Sequence, residues 1–155
     1  MTDSAYSATE PRPSRLPGRF TMIHLAFLQA VVAMAGSLYF SEVMKFPPCN
    51  LCWYQRIAMY PIVAILGIGI WRRDANARYY ALPLSLIGLA ISLYHNAMTY
   101  NFVPAGACAA EGAVSCLTRW INWGGFITIP LMAFVAFVVI SVCLIMYTPR
   151  VEDVE

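Results

Sequence analysis

Two cysteines, Cys49 and Cys52, stand immediately before a long apolar segment, and Arg56 follows about one helical turn after the second of them. A C-x-x-C pair at the start of a helix tends to have one thiol of lowered pKa, because the helix N-terminus favours the thiolate. Cys52 lies where the apolar segment begins, so we expect its thiolate to be the stabilised one. Residues four apart share a helix face, which places Arg56 beside Cys52. This arrangement is typical of a dithiol that passes electrons into a membrane.

A second cysteine pair, Cys108 and Cys116, encloses seven mostly small residues. We expect this segment to be flexible and to present a disulfide to in-line attack by an incoming thiolate. The fifth cysteine, Cys143, lies in an apolar segment and is expected to be an inert packing residue. A c-type haem needs His directly after the second cysteine of a C-x-x-C pair, where this chain has Trp53. No metal site is predicted, because the second pair is spaced too widely for a structural zinc site and the cysteine-bearing loops contain no His.

Four further side chains are candidates for binding an electron acceptor such as a quinone: Arg56, Gln55, His95 and Met98. A charge within a membrane span marks function by default, although Arg56 is close enough to the surface to be a snorkelling anchor instead. His95 is expected at the same depth as Arg56, where a neutral imidazole can donate to a quinone carbonyl or relay a proton. A histidine that only packs between helices is the alternative. Met98 is predicted to help wall a flat ring.

The composition assigns the chain to the membrane class of proteins. Of its 155 residues, 60% are hydrophobic and 12% are charged, whereas soluble domains have about 25% charged residues. A membrane-spanning helix needs about 20 predominantly apolar residues. The segments that qualify are residues 20–43, 53–71, 79–100 and 125–147, flanked by the tails 1–19 and 148–155. We therefore predict an all-α membrane protein in which residues 1–155 form a single domain, a bundle of four transmembrane helices.

Basic residues in the short loops predict the orientation of these helices. Seven lie in the two tails and the loop between the second and third spans, against two on the other side. Because basic residues mark the cytoplasmic side, both termini are expected there, and residues 44–52 and 101–124 form two exoplasmic redox loops. Disulfides persist on that side of the membrane. The net charge of +2 reflects the same bias and predicts no nucleic-acid binding, while the aromatic and polar residues 118–123 predict a short interfacial helix before the fourth span.

Two motifs resemble those of a known family. The stretch Cys-Asn-Leu-Cys-Trp-Tyr-Gln-Arg-Ile-Ala-Met-Tyr-Pro at 49–61 is similar to the signature of the DsbB family of disulfide bond formation membrane proteins. The stretch Ile-Asn-Trp-Gly-Gly-Phe-Ile-Thr-Ile-Pro at 121–130 is similar to the BdbC branch of that family. The resemblance covers almost the whole chain and implies a quinone-linked thiol oxidoreductase of the bacterial cytoplasmic membrane, part of the relay that keeps the exoplasmic compartment oxidising. Within it, Arg56 matches the family's arginine, and His95 stands where the family often has a histidine near the quinone.

The resemblance also implies an order of thiol exchange. A soluble exoplasmic thioredoxin-fold oxidase of the DsbA or BdbD type, in its reduced form, attacks the Cys108–Cys116 disulfide and forms a mixed disulfide with Cys108. Electrons then pass to Cys49 and Cys52 through a bond between Cys116 and Cys49. Cys52, as a thiolate beside Arg56, donates to the membrane quinone. The second pair is more closely spaced than in the enterobacterial type, so the order in which its two cysteines act is the least determined step.

Two other functions stay open at the level of sequence. A vitamin-K-epoxide-reductase-like enzyme shares four spans and a C-x-x-C motif, but there the motif comes late, within the fourth span, whereas here it opens the second. A four-helix membrane scaffold with two structural disulfides is the non-enzymatic alternative. In such a scaffold the loss of one disulfide would only lower stability, by about 2–5 kcal/mol. The sequence does not distinguish menaquinone from ubiquinone as the acceptor.

Overall fold

The computed structural model describes residues 18–74, 76–103 and 127–147, with side chains from residue 22 onward. Within these ranges the chain forms four long helices: α1 (Gly18–Leu38), α2 (Asn50–Arg72), α3 (Ala77–Thr99) and α4 (Ile129–Met146). A π-helical turn, Tyr39–Val43, continues α1 without a break. Each of the four is long and apolar enough to cross a membrane, counting the π-helical turn with α1. The prediction of an all-α protein with four transmembrane helices is confirmed.

The starts of α2 and α4 differ from the predicted spans by three or four residues. α2 begins at Asn50 because Cys49 has an extended backbone, with φ −74° and ψ 169°, and its side chain caps the helix. α4 begins at Ile129 because Thr128 is extended and its hydroxyl accepts the backbone N–H three residues later, with Pro130 in the first turn. Apolar content places a span only approximately, whereas the capping residue fixes where the helix starts. The predicted interfacial helix at 118–123 lies outside the described residues.

The helices surround one apolar core. In the described part of the chain, α2 packs against α1 and α3, and α4 packs against α3 and α1, so the order around the bundle follows the chain. Two hydroxyl groups inside the bundle pair with each other, as an apolar environment favours: the Ser141 hydroxyl donates to the Ser85 hydroxyl at 3.0 Å. Cys143 lies in the core, in agreement with its expected packing role. Its neighbours in the core are Ile23, Ala26, Ala30, Ala58, Met59, Ile62, Leu66, Ala81, Ala136, Phe137, Ile140 and Leu144.

A glycine lets α3 and α4 approach closely. A Cβ atom at Gly88 would overlap the ring of Phe137, which comes from α4 and is fully buried. The ring belongs to the apolar core cluster, so it must shift against its neighbours to admit the added atom. Phe137 also lines the cavity described below, so this contact sets the distance between α3 and α4 where Phe137 forms part of the cavity wall.

We expect Gly88→Ala to lower the stability of the bundle by about 1–3 kcal/mol, the usual effect of overpacking a filled core. Thermal unfolding of the purified protein in detergent measures this change. Gly36→Ala is the matched control, because a Cβ atom there meets no other atom within 4 Å. Equal unfolding temperatures for the two variants would contradict the close packing of α3 against α4 at Gly88.

Candidate functional site

The first cysteine pair lies at the N-terminal end of α2. Cys49 is the N-cap residue, and its sulfur accepts the backbone N–H of Cys52 at a distance of 3.4 Å. Both cysteines are free, and their sulfur atoms are 2.8 Å apart. The pair therefore needs only a small side-chain movement to close a disulfide, whose sulfur atoms stand about 2.05 Å apart.

A buried histidine from α3 faces this pair. His95 is 1% exposed, and its Nε2 lies 3.9 Å from the sulfur of Cys49. On the other side of the ring, Nδ1 is 3.3 Å from the amide nitrogen of Gln55, which is also buried. In the tautomer whose Nδ1 accepts from this amide nitrogen, the ring proton is on Nε2 and points toward sulfur. The structure thus brings Gln55 and His95 to the cysteines, as predicted, and pairs them with each other.

The thiolate is favoured at Cys49, which corrects the expectation that Cys52 would be the stabilised one. The pKa of Cys49 is lowered from 9.0 to about 4, first by the hydrogen bond from the Cys52 thiol. His95 and the Cys52 backbone N–H lower it further, while burial opposes them. The apolar segment begins near Cys52, but the helix starts at Asn50, three residues before the predicted span, so Cys49 occupies the capping position that receives the free N–H.

Arg56 lies one turn below Cys52 on α2 and joins α2 to α1. Its guanidinium donates to the carbonyl oxygen of Ser37 at 2.9 Å, and it lies 5.5 Å from the ring centre of Trp53. Ser37 lies just before the π-helical turn that continues α1, and its carbonyl oxygen also accepts the hydroxyl of Ser41 at 3.3 Å. Arg56 is half-buried and lines the same cavity as Cys52, so its head group points into the bundle. A purely snorkelling anchor would place that group in the headgroup layer.

A cavity of about 290 Å³ opens beside the cysteines, between α1, α2 and α4. Its reactive end contains Cys49, Cys52, Arg56 and His95, together with Gln55. Its walls are mainly apolar or small and come largely from helices that the sequence analysis did not connect with the site: Val32, Ala33, Met34 and Gly36 from α1, and Met132, Ala133, Ala136 and Phe137 from α4. Polar atoms at one end of an apolar cavity are characteristic of a binding site for a small, mostly apolar molecule.

Met98 has a different position from the one expected. It is 1% exposed and packs against Cys49, with Leu51 and Cys52 at the edge of the same cluster. It is not among the residues that line the cavity. Met98 comes three residues after His95 and therefore lies nearly one turn farther along α3. At that position it contacts Cys49. Met98 therefore packs against Cys49 and does not line this cavity.

One residue next to His95 ties α3 to α4. The side-chain amide of Asn96 donates to the carbonyl oxygens of Ser92 at 2.8 Å and Pro130 at 2.9 Å. Pro130 is in the first turn of α4 and lines the cavity. An Asn near the end of a span is a usable sequence signal for such a link, because an amide in a membrane needs partners. The other predicted site residues, Cys108 and Cys116, lie outside the described residues.

Comparison with known proteins gives one consistent family. The family model described as "Disulfide bond formation protein DsbB" matches residues 19–147. The probable disulfide formation protein C of Halalkalibacterium halodurans is 52% identical over 118 residues, 76% of this chain and 86% of that protein. The disulfide bond formation protein C of Bacillus subtilis is 44% identical over 129 residues, 82% of this chain and 92% of that protein. No solved structure matches the chain significantly.

The lowered pKa of Cys49 predicts an unusual pH dependence of its alkylation. In reduced protein its reaction rate with iodoacetamide should fall only as the pH falls through about 4, whereas an ordinary thiol loses rate below 9.0. Mass spectrometry of a C108A/C116A/C143A variant, in buffer containing a chelator, measures the rate at Cys49 alone. His95→Ala should move the midpoint upward, because a donor to the sulfur is lost. A midpoint near 9.0 in the parent variant would contradict the cap geometry.

Proposed function

The chain belongs to the DsbB family of disulfide bond formation proteins, and we propose that it reoxidises a soluble thioredoxin-fold disulfide donor and passes the electrons to membrane quinone. The family and the four membrane-length helices make the protein a multi-pass membrane thiol–disulfide oxidoreductase. The observation that carries the proposal is a free dithiol that opens onto a cavity between helices, beside a buried imidazole and a guanidinium.

The cavity fits a quinone ring in shape and in chemistry. A bound quinone supplies an acceptor for two electrons and two protons on a flat, largely apolar ring with two carbonyl oxygens. The apolar walls from α1 and α4 suit the faces of such a ring, and the open space beside Gly36 leaves room for it. Arg56 and His95 supply donors for a carbonyl oxygen at the end where the sulfur atoms lie. Menaquinone and ubiquinone share these features, and either is compatible with the residues.

The cysteine chemistry balances with two-electron transfer. Counted from two neutral thiols, closing the Cys49–Cys52 disulfide releases two electrons and two protons, including the proton that Cys49 has already lost on ionising. The reduction of a quinone to its quinol consumes the same numbers of electrons and protons. His95, 3.9 Å from the sulfur of Cys49, is placed to hold one of these protons. The charge of Arg56 stabilises negative charge that develops on the acceptor oxygen. These residues therefore act on the proton and the charge, while the sulfur atoms carry the electrons.

A thiolate at Cys49 in the reduced pair is compatible with Cys52 as the electron donor to the quinone. Cys49 holds the negative charge when both cysteines are reduced and free. In the proposed transfer from the second pair, Cys49 is bonded to Cys116, and Cys52 is then the free thiol of the first pair. Cys52 lines the cavity, so it faces the proposed acceptor.

The orientation and the partner belong to the same proposal. The distribution of basic residues supports cytoplasmic termini in the bacterial cytoplasmic membrane, with Cys49 on the exoplasmic side. There the second pair, Cys108 and Cys116, receives electrons from a reduced oxidase of the DsbA or BdbD type. Cys108 forms the mixed disulfide, and Cys116 passes the electrons on to Cys49. The family membership supports a thiol–disulfide partner of this kind.

We expect the purified protein to reduce quinone when a reduced thioredoxin-fold oxidase is supplied as thiol donor. Menaquinone and ubiquinone are tested in parallel, and the change in quinone absorbance gives the rate. Cys52→Ser and Cys108→Ser should each abolish turnover, whereas Cys143→Ala should retain it, because Cys143 is in the core. If neither quinone is reduced while both cysteine pairs stay oxidised and unreactive, the scaffold with structural disulfides is the better account.

The role of Arg56 is tested by its effect on quinone affinity. Arg56→Ala should raise the KM for quinone about tenfold or more, because a hydrogen bond to a charged group contributes about 1.5–3 kcal/mol. Arg72→Ala is the matched control, since Arg72 lies in the last turn of the same helix, at its other end. Because Arg56 also bonds Ser37, thermal unfolding is recorded for both variants. An unchanged KM in Arg56→Ala would leave Arg56 as an interfacial anchor.

A further inference from the structure

We propose that the reduced Cys49–Cys52 pair and His95 form a binding site for a thiophilic divalent ion of the Zn²⁺ class, which the disulfide form cannot bind. One sulfur from each cysteine and one ring nitrogen from His95 lie within 4.8 Å of one another. No metal site was predicted from the sequence because the cysteine-bearing loops contain no histidine. The third donor comes instead from α3, in a different part of the chain. The proposal rests on this geometry and does not depend on the quinone.

The distances suit tetrahedral coordination. Zinc binds sulfur at about 2.3 Å and nitrogen at about 2.0–2.1 Å, so the donor atoms of a tetrahedral site stand about 3.3–3.8 Å apart. The distance from Cys49 Sγ to His95 Nε2 is 3.9 Å, close to this range. The two sulfur atoms, at 2.8 Å, must separate by about 1 Å, which a small rotation about the side-chain bonds of Cys52 provides.

The surroundings of His95 are those of a metal-binding histidine. When Nε2 binds the ion, the ring proton is on Nδ1 and needs an acceptor, and such second partners are a regular feature of metal sites. Gln55 already contacts Nδ1 through its amide, and a half turn of that amide places its oxygen there. Gln55 therefore serves either tautomer of His95. Both side chains are buried on long helices, which limits their movement when the ion binds.

The charge of the two cysteine sulfurs and the types of donor atom favour a zinc-like ion over other divalent ions. The Cys49 thiolate, the Cys52 thiol and one Zn²⁺ give a neutral bis-thiolate complex and release one proton, with His95 remaining neutral, so the occupied site places no net positive charge beside Arg56. Thiolate and imidazole donors favour zinc-like ions, whereas Mg²⁺ and Ca²⁺ require oxygen ligands. Cys49, Cys52 and His95 all line the cavity, so a water molecule from the cavity would complete the coordination. Because both sulfur atoms are then bound to the ion, the dithiol is withheld from oxidation until the ion leaves.

The test measures metal binding without quinone or thiol donor. A C108A/C116A variant, in which the second pair is absent, is reduced and titrated with Zn²⁺ against a chromophoric chelator. Co²⁺ is then used as a spectroscopic probe. We expect one ion per chain in the reduced variant, thiolate-to-cobalt charge-transfer bands with a tetrahedral spectrum, and no binding after the first pair has been oxidised.

Single substitutions in this background identify the ligands. Cys52→Ser and His95→Ala should each lower the Zn²⁺ affinity at least tenfold, the size of effect that even indirect partners of a metal site produce. His24→Ala is the matched control, because His24 is the other of the chain's two histidines and lies exposed on α1. Equal affinities in His95→Ala and His24→Ala would overturn the proposal, as would binding that survives oxidation of the pair.

The spectrum of the unsubstituted background decides the question if His95→Ala does not fold. A tetrahedral Co²⁺ spectrum with the intensity of two thiolates supports the site, and an octahedral spectrum without charge-transfer bands overturns it. The outcome is also separable from the proposed function. Absent metal binding with intact quinone reduction overturns only the metal site, whereas metal binding without quinone reduction overturns only the quinone relay.

Discussion

The cap of α2 by Cys49 is the interaction on which the rest of the site depends. The first backbone N–H groups of a helix have no partner within the helix, and in an apolar environment each such group is costly. The sulfur of Cys49 accepts one of them, which fixes the residue at which α2 starts. The register of every later residue on α2 follows from that start. Gln55 is thereby turned toward His95, and Arg56 toward the end of α1.

Hydrogen bonds between helices then hold the walls of the cavity in place. Arg56 joins α2 to α1 at Ser37, Gln55 joins α2 to α3, and Asn96 joins α3 to α4 at Pro130. All three links lie near one end of the bundle, around the cavity. Farther along the helices, packing contacts such as that of Gly88 with Phe137 replace them. The reactive end is thus held by directional polar bonds, and the remainder by the fit of apolar side chains.

The sequence was sufficient to predict the four membrane-spanning helices and to identify the residues that lie around the first cysteine pair. Long apolar segments have few alternatives in a membrane, and a C-x-x-C pair followed by Arg56 restricts the position of its neighbours by helical periodicity alone. Contacts between different helices could not be predicted from periodicity or apolar content. Periodicity does not show that Arg56 bonds a carbonyl of α1, that α4 walls the cavity, or that Met98 packs behind Cys49. The stabilised thiol was also assigned incorrectly, because apolar content locates a helix start only to within a few residues.

A cap made of sulfur has a consequence for the movement of the polypeptide during a reaction cycle. A thiolate is a strong hydrogen-bond acceptor, whereas a sulfur atom in a disulfide carries no negative charge and accepts weakly. An N-cap contributes about 0.5–2 kcal/mol to a helix, so the first turn of α2 is firm when Cys49 is reduced and loosens when Cys49 is oxidised. The oxidation state of the Cys49 sulfur therefore controls how freely the backbone moves in the first turn of α2, where Cys49 must exchange one bonding partner for another.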